Sequence, residues 1–356
     1  MFLAFRELKF NLLRSVLLGG ISALLAFMVF MLLGLTRGLS EDSAAWMLNN
    51  PAATIITTKD ASGNLTRSFI SPEDITALQK MDAGAVPFAQ SFVSFGVNTP
   101  DSNQLGAVML GLEPESFLAP KLTEGTVMNA GSAVVDSSLK EDGVKVGDTI
   151  ILKPSGEELK VVGFTEGARL NHQPVIFVTL DEWHTLNPRA HDTVSGVALQ
   201  AQAPAPASLP EGLAAQTRSE ALQSLPGYKE EQGSLLMIQV FLVAVSALVM
   251  AVFFYVMTLQ KTAQFGLLKA IGAGMRTLAG SLVAQVLLLT LGALALAVAA
   301  MYGTTQVLPA GMPFALSWTA VAQASGLLLL VALLGGLLSL RTIAQADPLQ
   351  ALGQGG

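Results

Sequence analysis

The chain has 356 residues, 51% of them hydrophobic and only 13% charged, with a net charge of −6 and no cysteine. Soluble domains carry about 25% charged residues, so this composition and a mean hydropathy of +0.55 indicate a membrane protein. The missing cysteines exclude disulfides, thiolate metal sites and cysteine nucleophiles.

Residues 1–14, MFLAFRELKFNLLR, read as an amphipathic helix with Phe2, Phe5, Leu8 and Leu12 on one face and Arg6 and Lys9 snorkelling beside it. Apolar stretches follow at 15–36, 235–258, 277–302 and 319–340, each able to cross about 30 Å of hydrocarbon at about 1.5 Å per residue. The first exceeds the roughly 7–15-residue apolar core of a signal peptide, and no small-x-small cleavage pattern follows closely, so it reads as a retained anchor. Within it, Met28 and Met31 stand three apart and share a face. They are either packing or lipid-facing residues, or soft ligands for an apolar metal-bearing group. Gly34 and Gly38 form a small-xxx-small pair suited to close helix approach.

Residues 37–234 hold 13 Lys+Arg against 24 Asp+Glu, a net of −11 that leaves +5 for the remainder. So acidic a segment is a poor partner for nucleic acid or anionic lipid. The patterning predicts a helix near 41–48, a strand at 53–59 and a hairpin-type turn at 60–64. A helix capped by Ser71 runs to about Met81, and strands follow near 89–97 and 104–112. Residues 131–164 have small-barrel character: strand, short helix, glycine turn and two more strands. Strands at 175–179 and 193–199 come next, then an Ala/Pro linker at 201–210 and a helix at 218–225. His172, His184 and His191 match no standard zinc spacing, and no GxSxG is present. The domain does not read as an enzyme.

Arg6, Lys9 and Arg14 precede the first span, Lys261, Lys269 and Arg276 follow the second, and Arg341 follows the fourth, whereas 303–318 carry no charge. All basic segments therefore face one side, which makes both termini cytoplasmic. In the segment 259–276, Phe265, Leu268 and Ile271 recur at a spacing of three, with Gln264 and Lys269 on the other face. Gly266, Gly272 and Gly274 allow close approach or a turn. A short amphipathic helix held there by two spans is placed to dock a soluble partner. Gln239, Gln285 and Gln323 read as interhelical hydrogen-bonding groups, and no span contains a charge that would mark an ion pathway. Together these features predict an α-helical membrane protein of four transmembrane helices, with a mixed α+β extracytoplasmic domain between helices 1 and 2.

That layout resembles the ABC-exporter permeases of the FtsX/MacB superfamily over the whole chain. FGLLKAIGAGMRTL (265–278) is similar to their cytoplasmic coupling helix, and RTIAQADPLQAL (341–352) to their C-terminal signature. The stretches MFLAFRELKFN, PGYKEEQGSLLMIQVFL, FFYVMTLQKTAQFGLLKAIGA and VLPAGMPF resemble the haem-exporting subgroup. The resemblance implies a homodimer in membrane lipid, flanked by two copies of a cytoplasmic ABC ATPase subunit. It further implies haem as the transported substrate, no intrinsic cofactor, and ATP used only by the partner. The chain contains no GxxxxGK[ST] loop. On this reading Met28 or Met31 would meet the haem iron, and Arg37 a propionate. Gln264, Phe265, Gly266, Lys269 and Ile271 would receive the ATPase stroke. Rival expectations are export of another amphiphile, such as an antimicrobial peptide or lipid, and FtsX-like regulation of a cell-wall hydrolase.

Overall fold

A backbone crossing hydrocarbon must satisfy its own hydrogen bonds, so each long apolar stretch folds as a helix. The structure, a computed structural model, describes residues 12–99, 102–202, 204–205, 208–260, 262–308 and 312–344. Residues 1–11 of the N-terminal amphipathic reading, Lys261 and residues 345–352 of the C-terminal motif lie outside the described residues. The helices are α1 (Leu12–Asn49), α2 (Pro72–Met81), α3 (Leu180–Leu186), α4 (Arg218–Gln223), α5 (Tyr228–Leu259), α6 (Thr262–Ala270), α7 (Met275–Thr305) and α8 (Trp318–Ala344). Among the described residues, four segments are long and apolar enough to cross a membrane: Ser15–Asn49, Tyr228–Leu259, Met275–Thr305 and Trp318–Leu337.

These four form one unit, up to Arg37 and again from Ser234. Its core joins Ala26, Val29 and Phe30 of α1 to Met250 and Phe254 of α5, Val286 and Leu294 of α7, and Leu328 and Ala332 of α8. Gly335 matters here because a Cβ would sit 2.7 Å from Ala251 Cα, so α8 and α5 touch backbone to backbone.

The second unit, Gly38–Gly233, contains the strands β1 (Thr54–Thr58), β2 (Val86–Val97), β3 (Leu105–Leu112), β4 (Leu122–Gly125), β5 (Ser132–Asp136), β6 (Thr149–Lys153), β7 (Glu158–Thr165), β8 (Arg169–Leu170), β9 (Gln173–Thr179), β10 (Gly196–Leu199) and β11 (Leu213–Thr217). Six of them close a ring: β2 pairs β3, β3 pairs β9, β9 pairs β5, β5 pairs β7, β7 pairs β6, and β6 returns to β2. The small-barrel character read over 131–164 is thus real, although β2, β3 and β9 supply half of the ring. Strands β10, β1 and β11 extend from β2, and β4 flanks β7. Alternation divides the apolar residues between two cores. Ala107, Met109, Ile150, Val161, Ile176 and Val178 join one. Val108, Leu110, Val134, Val175 and Phe177 join the other, together with Trp46 and Met47 of α1.

Two expectations need correcting. The helix near 41–48 is not separate but the end of α1, broken at Ala44 (φ −148°, ψ 17°). The turn at 60–64 has Ser62 and Gly63 at positive φ, yet it joins no hairpin. Asn64 instead caps a 3₁₀ turn at Leu65–Arg67 by accepting from Thr66 N–H, and β1 takes β10 and β11 as partners. The Ser71 cap of α2 is present, accepting from Asp74 N–H.

The seam that closes the ring is polar. Asn98, just beyond β2, donates through Nδ2 to Asp148 Oδ1 at 2.9 Å, and its Oδ1 accepts from Thr149 N–H at 2.9 Å. The Asn98 hydrogen bond, followed by the Lys145 N–H, holds the Asp148 carboxyl below its ordinary value. A carboxylate depressed by folding contributes stability above its unfolded pKa, and that contribution fades as pH falls through the folded value. Asp148→Asn is therefore expected to flatten the loss of thermal stability below about pH 4. An unchanged acid limb in melting curves of the variant would exclude that role.

Candidate functional site

Three groups of residues were singled out from the sequence, and the structure treats them differently. In α1, Met28 is 47% exposed, whereas Met31 is half-buried against the helical core. Arg37 is exposed and lies nine residues beyond Met28, about two and a half turns along the helix and on its opposite side. Gly34 does not serve as a helix-approach notch. The Phe314 ring occupies the place of its missing Cβ, and Ala315 N–H donates to the Gly34 carbonyl at 3.1 Å. The loop before α8 is thereby fastened to the first span.

Helix α6 stands at the predicted coupling position. Phe265 is 7% exposed and packs on Leu278, with Leu268 and Ala273 beside it. Gly266 is buried, Gln264 is exposed, and Lys269 lies in the last turn of the helix. The stripe Phe265–Leu268–Ile271 is broken at its third member, because the helix ends at Ala270. Gly272 takes φ +95°, and Ala273 N–H donates to the Leu268 carbonyl at 2.9 Å. This Schellman closure, with its Leu268–Ala273 contact, turns Ile271 outward. Ile271 is 75% exposed.

The polar residues of the spans are unequal: Gln285 is buried and Gln323 exposed. Of the histidines, His184 donates from Nε2 to the Thr193 carbonyl at 3.0 Å, and His191 occupies a positive-φ turn position. His172 is different, and its surroundings escaped sequence reasoning. Strands β8 and β9 are joined by Asn171 and His172 at φ +51° and +61°, the left-handed geometry of a tight hairpin turn. Asn171 N–H donates to the Ser43 carbonyl at 2.8 Å, beside the break at Ala44. His172 Nδ1 lies 2.7 Å from Asp42 Oδ2, and Nε2 lies 3.0 Å from Ser43 Oγ and 3.3 Å from Glu231 Oε2. Ser43 donates to Glu231 Oε2 at 3.0 Å. Arg169 pairs with Asp42 through Nε and donates to Ser138 Oγ at 2.9 Å and to the His172 carbonyl at 3.0 Å. Ser40 Oγ and Tyr228 OH are 2.9 Å apart. These residues come from four places in the chain, and only Tyr228 and Glu231 fall in a stretch that the sequence marked, PGYKEEQGSLLMIQVFL.

The sheet unit also carries an open pocket of about 190 Å³ lined by Trp46, Asn50, Phe117, Lys121, Glu166 and Phe177.

Four apolar helices, a sheet domain inserted after the first and a short packed helix after the second define a membrane protein. Residues 236–348 match the family model described as FtsX-like permease C-terminal. That stretch of the chain is thus an FtsX-like permease domain. The chain is similar to the putative hemin transport system permease protein HrtB of Staphylococcus haemolyticus (strain JCSC1435), 27% identical over 352 residues and 99% of both chains. The protein of the same name from Staphylococcus epidermidis (strain ATCC 12228 / FDA PCI 1200) is 26% identical over 354 residues, again 99% of both. Among solved structures, the periplasmic region of MacB from Actinobacillus actinomycetemcomitans matches with a TM-score of 0.37 at 13% identity, covering 50% of this chain and 96% of that one.

The Gly34–Phe314 contact yields a direct test. Gly34→Leu should displace the ring and lower the melting temperature, an overpacking cost of about 1–3 kcal/mol, and adding Phe314→Ala should recover part of the loss. If Gly34→Leu melts like the parent, the contact does not hold the loop.

Proposed function

We propose that this chain is the permease of an ATP-driven efflux pump that removes haem from the membrane, with detoxification as its purpose. The observation that carries this reading is similarity to hemin transport permeases along the entire chain. The pump is a homodimer with both termini in the cytoplasm, flanked by two copies of a separate ATPase subunit. Haem suits such a machine because it is flat and apolar apart from two propionates, and so partitions into the bilayer. The exposed Met28 offers a soft thioether to the iron in the absence of any histidine in a span. Met31, half-buried, supports or replaces it. Arg37, on the far side of the same helix from Met28, reaches a propionate of the same haem only from the other protomer.

Work comes from the cytoplasmic side. Phe265 and Gly266 anchor α6 to the bundle, while Gln264, Lys269 and the exposed Ile271 meet the ATPase. ATP-driven closure of the two ATPases pushes α6, shifts the spans and rearranges the outer domains.

Haem titration of the detergent-purified permease, followed by the Soret band, tests the substrate and the site together. Saturable binding near one haem per dimer, weakened by Met28→Ala or Met31→Ala, is expected. Binding no greater than that of empty micelles would contradict haem as substrate and favour another amphiphile. For the coupling surface, Ile271→Asp should lower permease-dependent export about tenfold, as loss of a central interface anchor does, with the melting temperature unchanged. Undiminished export in that variant would remove Ile271 from the interface.

A further inference from the structure

The polar cluster around His172 has no part in the reading above, yet it joins the two helices that lead into and out of the outer domain. Asp42 and Ser43 belong to α1, Glu231 to α5, and Arg169 and His172 to the β8–β9 hairpin. The Ser40–Tyr228 hydrogen bond adds a second tie between α1 and α5. We propose that the Asn171–His172 turn is the joint through which the outer domain grips α1 and α5 together, and that the grip depends on a proton at His172.

The argument rests on hydrogen-bond chemistry. A neutral imidazole has one N–H and one lone pair, whereas the cation has two N–H groups. Here both ring nitrogens face acceptors, Asp42 Oδ2 at 2.7 Å on one side and Glu231 Oε2 at 3.3 Å on the other. With a neutral ring and Nδ1–H toward Asp42, the Nε2 lone pair faces Glu231 unless Ser43 turns its single hydroxyl proton from Glu231 to Nε2, 3.0 Å away. Charge agrees: Asp42 and Glu231 against Arg169 leave one negative charge in excess, and a protonated His172 cancels it. With the proton, Glu231 faces both the Nε2–H and the Ser43 hydroxyl; without it, the one Ser43 proton serves either Glu231 or Nε2, so the α5 side loses a donor while Arg169 still holds Asp42 on the α1 side. Since α1 and α5 carry the chain between the spans and the outer domain, His172 is a positioning residue for transmission of the stroke. The inference rests on the mechanical reading of the permease but not on the identity of what it exports.

Hydrogen exchange on the full-length permease in detergent, without ATPase or haem, tests it. After correction for intrinsic rates, amides of residues 38–49 and 228–233 should exchange about fivefold more slowly at about pH 5.5 than at about pH 7.5 in the parent protein. In His172→Gln that ratio should fall to about one, with exchange in the six-stranded ring unchanged. Glu231→Gln, which retains the Asp42–Arg169 pair, provides a milder variant and should also lower the ratio. Equal exchange at the two pH values in the parent, or an undiminished ratio in both variants, would overturn the proposal. A separate failure to bind haem would leave it standing.

Discussion

Hydrocarbon offers the backbone no hydrogen-bond partners, so only helices can carry this chain across a membrane. Much else depends on that constraint. A helix cannot dissolve into a loop at the bilayer surface without new partners for its end groups, and α1 accordingly runs on to Asn49, while α5 begins at Tyr228. The sheet domain is thus entered along α1, which breaks at Ala44, and left along α5.

The same logic governs the segment between α5 and α7. Helix α6 is too short to be stable alone. It persists because Phe265 and Leu268 pack on Leu278, and because Gly272 closes its C-terminus. Such a helix is fixed on its inner face and bare at Ile271.

The spans, the Ser71-capped helix and the ring strands near 131–164 were legible because each announces itself locally, by an apolar run, a capping pattern or period-two alternation. The ring's closure was not, since β6 meets β2 across more than fifty residues of sequence. Short strands such as β4 (LTEG) and β11 (LAAQT) have too little alternation to stand out, and they exist because a neighbouring edge recruits them. The methionines of α1 were correctly placed on one turn of the helix, but period alone did not reveal that Met31 would pack against the core. Ile271 was assigned to a stripe that a glycine turn then interrupted. The His172 cluster had no local signature, because its members come from four places in the chain and meet only in the folded domain.

The most direct measurement is haem transfer from proteoliposomes that hold this permease and its ATPase partner to a haem-free acceptor protein outside. Haem efflux predicts that the acceptor fills only when ATP is supplied inside the orientation-matched compartment and the permease is present. Permease-stimulated ATP hydrolysis that leaves all of the haem in the membrane would contradict it.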